Sequence, residues 1–161
     1  MSNKLTHLDA QGRARMVDVS DKPVSTREAC ARGRVRMAPE TFDKARGGET
    51  AKGDIRAIAE IAGVMGGKRT SELIPLCHPL PLSSIQVEVT PDEARCSFVV
   101  TARAKTTGQT GVEMEALTAV SVACLAIYDM LKAIDRGLVI EDICLVSKSG
   151  GVHGDYARGE P

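Results

Sequence analysis

The chain has 161 residues, 43% hydrophobic and 26% charged, enough for one packed domain burying roughly 70% of its unfolded surface and too apolar for wholesale disorder. Twenty-one basic residues balance twenty-one acidic ones, which excludes a global basic field for nucleic acid or anionic membrane, and 2% aromatics with no Trp leave no stacking platform for single strands. Five widely spaced cysteines without a Cys-x-x-Cys pair speak against a disulfide framework or zinc ribbon and for reduced, mostly buried thiols in a cytoplasmic protein.

The first residues carry no apolar stretch of the signal-peptide kind, and no uninterrupted apolar run approaches the ~20 residues of a membrane span. Residues 16–19 suit a short strand and 27–37 a second one. Pro39 sits where a helix begins, with 40–45 helical and Gly47 and Gly48 ending it. Ile55, Ile58, Ala59, Ala62 and Met65 repeat at helical spacing behind an expected Asp54 cap, and Gly66 and Gly67 are read as the end of that helix. Pro75, Pro79 and Pro81 make 74–82 a rigid loop. Alternation of Ile85, Val87 and Val89, then of Cys96, Phe98, Val100, Ala102 and Ala104, predicts an antiparallel hairpin with one buried face.

A long helix is expected over about 112–135, its apolar stripe set by Leu117, Val120, Cys124, Ile127, Leu131 and Ile134. Its alanines (Ala116, Ala119, Ala123, Ala126) allow close approach to a sheet or a second subunit. A strand over 143–146 and a flexible run over 147–154 complete the chain. Interleaved strands and helices with at least one hairpin predict an α+β sandwich, helices on one face of a mostly antiparallel sheet, with a ferredoxin-like arrangement first.

Several segments carry candidate chemistry. Gly66-Gly67-Lys68-Arg69-Thr70 fails the Walker pattern and reads as a basic helix end, with local phosphate contact from Lys68 or Arg69 left open. Lys52-Gly53-Asp54 precedes a helix N-terminus, where free N–H groups and a lysine favour anions; an exposed lysine beside a cap is the simpler reading. Leu76-Cys77-His78-Pro79-Leu80 holds an imidazole on a proline-clamped loop, without partners at metal-site spacing. Thr110-Gly111-Val112-Glu113 fits a capping box that would occupy Glu113 and leave Glu115 unexplained. Asp129 and Lys132 are helical neighbours, either a surface ion pair or an acid/base couple in which the lysine is lowered toward working pH. Lys148-Ser149-Gly150-Gly151 reads as a phosphate nest or a frayed tail.

Taken together, Leu5-Thr6-His7, Met16-Val17-Asp18-Val19-Ser20, Lys52-Gly53-Asp54, the run from Leu73 to Leu80, the run from Thr110 to Ala119, Ile127-Tyr128-Asp129-Met130 and Lys148-Ser149-Gly150-Gly151 resemble the MoaC family of molybdenum cofactor biosynthesis over nearly the whole chain. The resemblance implies a ferredoxin-like fold and a homohexamer built as a trimer of dimers, with the site across a dimer interface. It also implies conversion of (8S)-3′,8-cyclo-7,8-dihydroguanosine 5′-triphosphate to cyclic pyranopterin monophosphate and pyrophosphate. Residue by residue, it implies Asp129, Lys52 and Lys132 as catalytic groups. It assigns substrate binding to Leu76, Cys77, His78, Met114 and Glu115, and pocket or phosphate contacts to Glu113, Lys68, Arg69, Arg27 and Lys148.

A triphosphate carries about four negative charges, so cations and N–H groups must offset them in any enclosed site. Neither cofactor nor metal is expected, Mg2+ accompanying the triphosphate being left open. The expected partners are the small nucleotide-derived substrate and further copies of the chain, without nucleic acid or membrane. On this reading, 1–14 are loose, 15–150 form the single catalytic domain and 151–161 a flexible tail. One departure stands out: Val152-His153-Gly154 follows the Ser-Gly-Gly where many members have Lys-Ser-Gly. It keeps open the alternative of a non-catalytic nucleotide-binding partner of the same fold.

Overall fold

The computed structural model describes residues 7–9, 11–47, 49–50 (backbone only), 53–152 and 154–159. Its frame begins with β1 (Ser25–Arg36), where Ala29, Ala31 and Val35 are buried while Glu28, Arg32 and Arg36 are exposed, the period-two pattern of a strand with one covered face. β1 pairs antiparallel with β5 (Ser97–Gly108) in unbroken register from Ser25 opposite Gly108 to Arg36 opposite Ser97. β4 (Leu82–Asp92) flanks β5, and β6 (Val139–Ser149) flanks β1 on the other side. A two-residue strand, β7 (Tyr156–Ala157), adds to β6 within the segment expected to be a flexible tail. The order β4-β5-β1-β6-β7, all antiparallel, carries the four main strands in the ferredoxin-like sequence, with the helix between β1 and β4 and the helix between β5 and β6 on one face.

Those two helices are α2 (Ile55–Lys68) and α4 (Glu113–Leu131). α1 (Pro39–Arg46) lies beside them, where Phe42 meets Phe98 of β5 with ring centroids 5.8 Å apart, a tilted aromatic pair. A short hairpin of β2 (Glu49–Thr50) and β3 (Gly53–Asp54) leads into α2. Asp54 caps α2 as the sequence predicts, its Oδ1 accepting from the backbone N–H of Arg56 and Ala57 at 2.9 and 3.3 Å.

Gly66 and Gly67 do not end α2. The helix continues through Lys68, and α3 (Thr70–Leu73) follows directly. The glycines answer a tertiary demand instead. A Cβ on Gly63 would stand 2.9 Å from the Ala119 carbonyl oxygen and 3.1 Å from Ala123 Cβ; one on Gly67 would stand 3.1 Å from the Glu115 carbonyl oxygen. α2 and α4 therefore run antiparallel at close approach, glycine against alanine. The small residues of α4 serve this internal contact. Gly63→Val is expected to lower stability by about 2 kcal/mol through overpacking, read as a Tm lower by about 4–8 °C.

Other expectations shift in detail. Residues 16–19 form no strand. β4 runs through Pro91 to Asp92, which an edge strand tolerates because its outer N–H positions need no partner. A 3-10 turn over Glu93–Arg95 then makes the hairpin. α4 stops at Leu131 rather than near 135, and β6 starts earlier and reaches Ser149, so 147–149 belong to the sheet. All five cysteines are free thiols; Cys124 is buried, its pKa pushed up to about 12 by desolvation, while the other four are half-buried. α4 is long and apolar enough, at 19 residues and mean hydropathy 1.6, to cross a membrane by length and composition. Half of it is nevertheless buried inside the molecule, as in a core helix.

Candidate active site

Three adjoining cavities run along one end of the helical layer. The largest, about 510 Å³, lies between the proline-clamped loop and the start of α4, lined by Leu76, Cys77, His78, Glu113, Met114 and Glu115 among others. It shares Lys22, Thr110, Gly111 and Glu113 with a cavity of about 120 Å³ that Arg27 and Lys148 also line. On its other side it shares Leu80 and Glu115 with one of about 270 Å³ lined by Lys68. Nine of the predicted binding residues thus meet in one run of space; Arg69 lines none of the three.

His78 is held by its loop and by one hydrogen bond, Nε2 lying 2.9 Å from the Val17 carbonyl oxygen. A carbonyl only accepts, so Nε2 carries the hydrogen and Nδ1 of the neutral ring is left as an acceptor. This bond gives the 16–19 segment a part in the site without strand pairing.

The predicted capping box does not form. Val112 is the N-cap residue of α4 and no side chain caps the helix. Glu113 instead accepts from Lys148 Nζ at 2.7 Å, tying α4 to the end of β6. Glu113 thereby belongs to the cavity, not to the helix terminus.

Glu115 is 4% exposed, between the largest cavity and the one lined by Lys68. Burial pushes its pKa above the usual carboxylate range, with the neighbouring Glu113 charge adding to the shift and a backbone N–H opposing it. The Cys77 thiol is pushed up as well, first by burial and then by Glu115. Because the folded-state pKa of Glu115 is raised, its native form holds a proton that the unfolded chain has released, so stability falls as pH rises from the unfolded toward the folded value. Glu115→Gln is expected to melt higher than wild type at neutral pH and to converge with it in acid; thermal melts across pH check this.

Arg27 is buried at 4% exposure, yet its guanidinium is held only by carbonyls: Nε donates to Gly108 O at 2.9 Å and Nη2 to Pro23 O at 3.4 Å. Among the described residues no carboxylate pairs with it. A buried cation without a counter-ion is costly, and the small cavity beside it is where an anion would offset that cost. The chain passing over Arg27 turns at Gly150 (φ +82), where a Cβ would sit 1.9 Å from the Thr26 carbonyl oxygen.

Of the predicted catalytic groups, the two that are described lie elsewhere. Lys52 falls outside the described residues. Asp129 and Lys132 pair at 2.6 Å, both more than half exposed, at the far end of α4. Asp129 is sixteen positions beyond Glu113, about 24 Å along the axis at ~1.5 Å per residue. The hydrogen bond to Asp129, followed by its charge, raises the Lys132 pKa, opposite to the lowering an acid/base couple needs. In a single chain the binding groups and this pair stand at opposite ends of one helix. Among the described residues no cluster of His, Cys, Asp or Glu is placed to hold a metal.

Sequence reasoning missed Lys22, which lines both the large and the small cavity. It also missed Gln109, whose Nε2 donates to the Ser20 and Lys22 carbonyls at 3.0 and 3.1 Å. Neither stands in a recognisable motif; only the fold brings them to the site.

The family model described as the MoaC family matches residues 16–151. A relative from Heliobacterium modesticaldum is 58% identical over 156 residues, covering 97% of this chain and 98% of its own. One from Dinoroseobacter shibae is 57% identical over 152 residues (94% and 96%), and one from Thermomicrobium roseum 56% over 155 residues (96% and 93%). All three bear the name cyclic pyranopterin monophosphate synthase. The matched span takes in both the cavities and the Asp129–Lys132 end of α4: the chain belongs to the MoaC family.

Proposed function

We propose that this chain converts (8S)-3′,8-cyclo-7,8-dihydroguanosine 5′-triphosphate to cyclic pyranopterin monophosphate and pyrophosphate in molybdenum cofactor biosynthesis, as a cyclising phosphorus–oxygen lyase of the cytoplasm with residues 15–150 as its catalytic domain. The single observation that carries this reading, beyond family membership, is Arg27: a buried guanidinium with carbonyl partners only, facing a small cavity that opens into one of about 510 Å³. The pair of cavities suits a ring system joined to a chain of phosphates.

On this reading Arg27 and Lys148 neutralise the phosphates and stabilise the charge that develops as pyrophosphate departs. Lys148 is preset by Glu113, and anion binding draws it away from that carboxylate. Lys68, in the third cavity, and Arg69, just beyond it, add positive potential at the other end. Leu76, Cys77 and Met114 give the ring an apolar wall. His78 Nδ1 accepts a hydrogen bond from it, and the buried Glu115 carboxyl faces it on the side of α4. Ring opening and closure need protons moved at carbon, nitrogen and oxygen, and Asp129, Lys132 and Lys52 are the groups proposed to move them.

A proton passes between groups about 2.6–3.2 Å apart, so Asp129 acts on a ligand in this chain's own cavity only if a second copy brings its Asp129 there. The outer ridge of α4 supports such pairing. Met114 and Leu125 are exposed on it, and Ile58, Ile61 and Met65 are exposed on the adjoining α2. Two copies packed with α4 antiparallel about a two-fold axis near Ser121 set the Asp129 of each opposite the Glu113 end of the other, an isologous contact covering that apolar stripe. Three such dimers make the proposed homohexamer.

The test is incubation of the purified protein with the cyclic dihydro-GTP derivative, with and without Mg2+, following pyrophosphate release and pterin formation. Stoichiometric release of both products is expected. Binding of the substrate without product at saturation refutes the enzyme reading and leaves a non-catalytic binder.

A further inference from the structure

We propose that Lys22 fixes the direction in which a phosphate-bearing ligand lies in the site, by holding its phosphate chain at the passage between the large and the small cavity. This rests on the reading of the site as a nucleotide-derived triphosphate site, but it concerns a residue in none of the motifs discussed above. The first observation is position: Lys22 is half-buried and lines both cavities.

The second observation is charge. The other ionisable groups lining the large cavity are Glu113, Glu115, Cys77 and the imidazoles His7 and His78, so Lys22 is its one lysine or arginine among the described residues. A phosphate chain placed in that cavity meets the carboxyls of Glu113 and Glu115, and Lys22 is the one lysine or arginine to offset it. A ring with N–H donors finds acceptors there in the Glu113 carboxylate and His78 Nδ1. The charge distribution therefore favours one ligand direction, ring toward His78 and Glu115, phosphates out past Lys22 toward Arg27 and Lys148.

The third observation is availability. Lys148 is held by Glu113 at 2.7 Å, and the Arg27 guanidinium is fixed by two backbone carbonyls. Lys22 makes no ion pair among the described residues. Its main chain, in contrast, is fixed: Lys22 N–H donates to Val19 O at 3.0 Å, closing a turn, and Gln109 clamps the Ser20 and Lys22 carbonyls. A rigid base under a flexible four-carbon stem lets the ammonium follow a phosphate without moving the loop.

The experiment measures binding of GTP, GDP and GMP as unreactive probes to the full chain, and KM and kcat for the cyclic dihydro-GTP derivative, in wild type, Lys22→Ala and Lys22→Arg. The preference of wild type for GTP over GMP is expected to shrink by about tenfold in Lys22→Ala, as loss of a hydrogen bond to a charged group implies. KM should rise by a similar factor, kcat should change less than about threefold, and Lys22→Arg should restore most of the preference. Equal loss for GTP and GMP, or no loss, overturns the proposal. Failure of wild type to turn over the cyclic derivative counts against the proposed function alone, because the phosphate-number dependence of probe binding still tests Lys22.

Discussion

Asp129→Asn is expected to lower kcat by about 10²–10⁴-fold, the range for loss of a positioned general acid or base, with KM within a few-fold of wild type. The change keeps size and shape but removes the proton acceptor. Asp129 is exposed and far from the cavities of its own chain. A loss of that size from a surface position has no explanation within one subunit, since exposed pairs of this kind contribute little to folding. Lys132 supplies a second signature. Its pKa is raised by Asp129, so removing the carboxylate lowers it, and an alkaline limb set by Lys132 in any residual activity should move to lower pH. An unchanged melting temperature confirms that folding is not the cause.

Gly150→Ala is expected to weaken substrate binding by tenfold or more and to destabilise the fold. A side chain at φ +82 costs about 1–2 kcal/mol in the left-handed region, and the new Cβ would meet the Thr26 carbonyl oxygen at 1.9 Å. That oxygen is backbone of β1 and cannot swing aside, so the turn itself must move. Two bonds hold it: Ser25 Oγ donates to Gly150 O at 2.8 Å, and Gly150 N–H donates to Asp155 Oδ1 at 3.2 Å. Overpacking adds about 1–3 kcal/mol, which together with the backbone strain lowers Tm by roughly 4–20 °C. The movement displaces Gly151 and the Ser149 end of β6 from Arg27, so KM should rise much more than kcat falls. The same substitution at Gly154, where no atom lies within 4 Å of a built Cβ, separates crowding from left-handed strain because its φ is +78.

What the sequence discloses follows the range of the interactions involved. Asp54 capping α2, the alternation of β4 and β5 and the apolar stripe of α4 are local patterns, and each appears where expected except that Ile134, expected to end the stripe, lies past the helix and is exposed. Gly66 and Gly67 mislead because a glycine pair signals a helix end locally, whereas here it admits Val122, Ala119 and the Glu115 carbonyl of a neighbouring helix. Glu113 misleads likewise: the spacing allows a cap, but Lys148, thirty-five positions away, offers a stronger partner. Residues 147–149 look like a loop until β1 pairs with them.

For the site, the segments at 76–78 and 113–115 are legible through family resemblance and do converge. The separation of Asp129 and Lys132 from them within one chain is not legible in the motifs, because a match of separate segments to a family does not tell how far apart one fold holds them; only the resemblance implied a site shared between subunits. Lys22 is invisible for a simpler reason: one lysine in a polar segment has no pattern to distinguish it.

The central claim, that a working site joins the cavities of one copy to the Asp129 of another, is tested most directly by mixing two inactive variants. Asp129→Asn and His78→Ala are purified separately, subunits are exchanged under mild denaturant, and turnover of the cyclic dihydro-GTP derivative is measured. In a paired assembly about a quarter of the sites then combine an intact His78 loop with an intact Asp129, and activity should recover toward that fraction of wild type. Exchange verified by mass spectrometry with no recovered turnover would contradict the account.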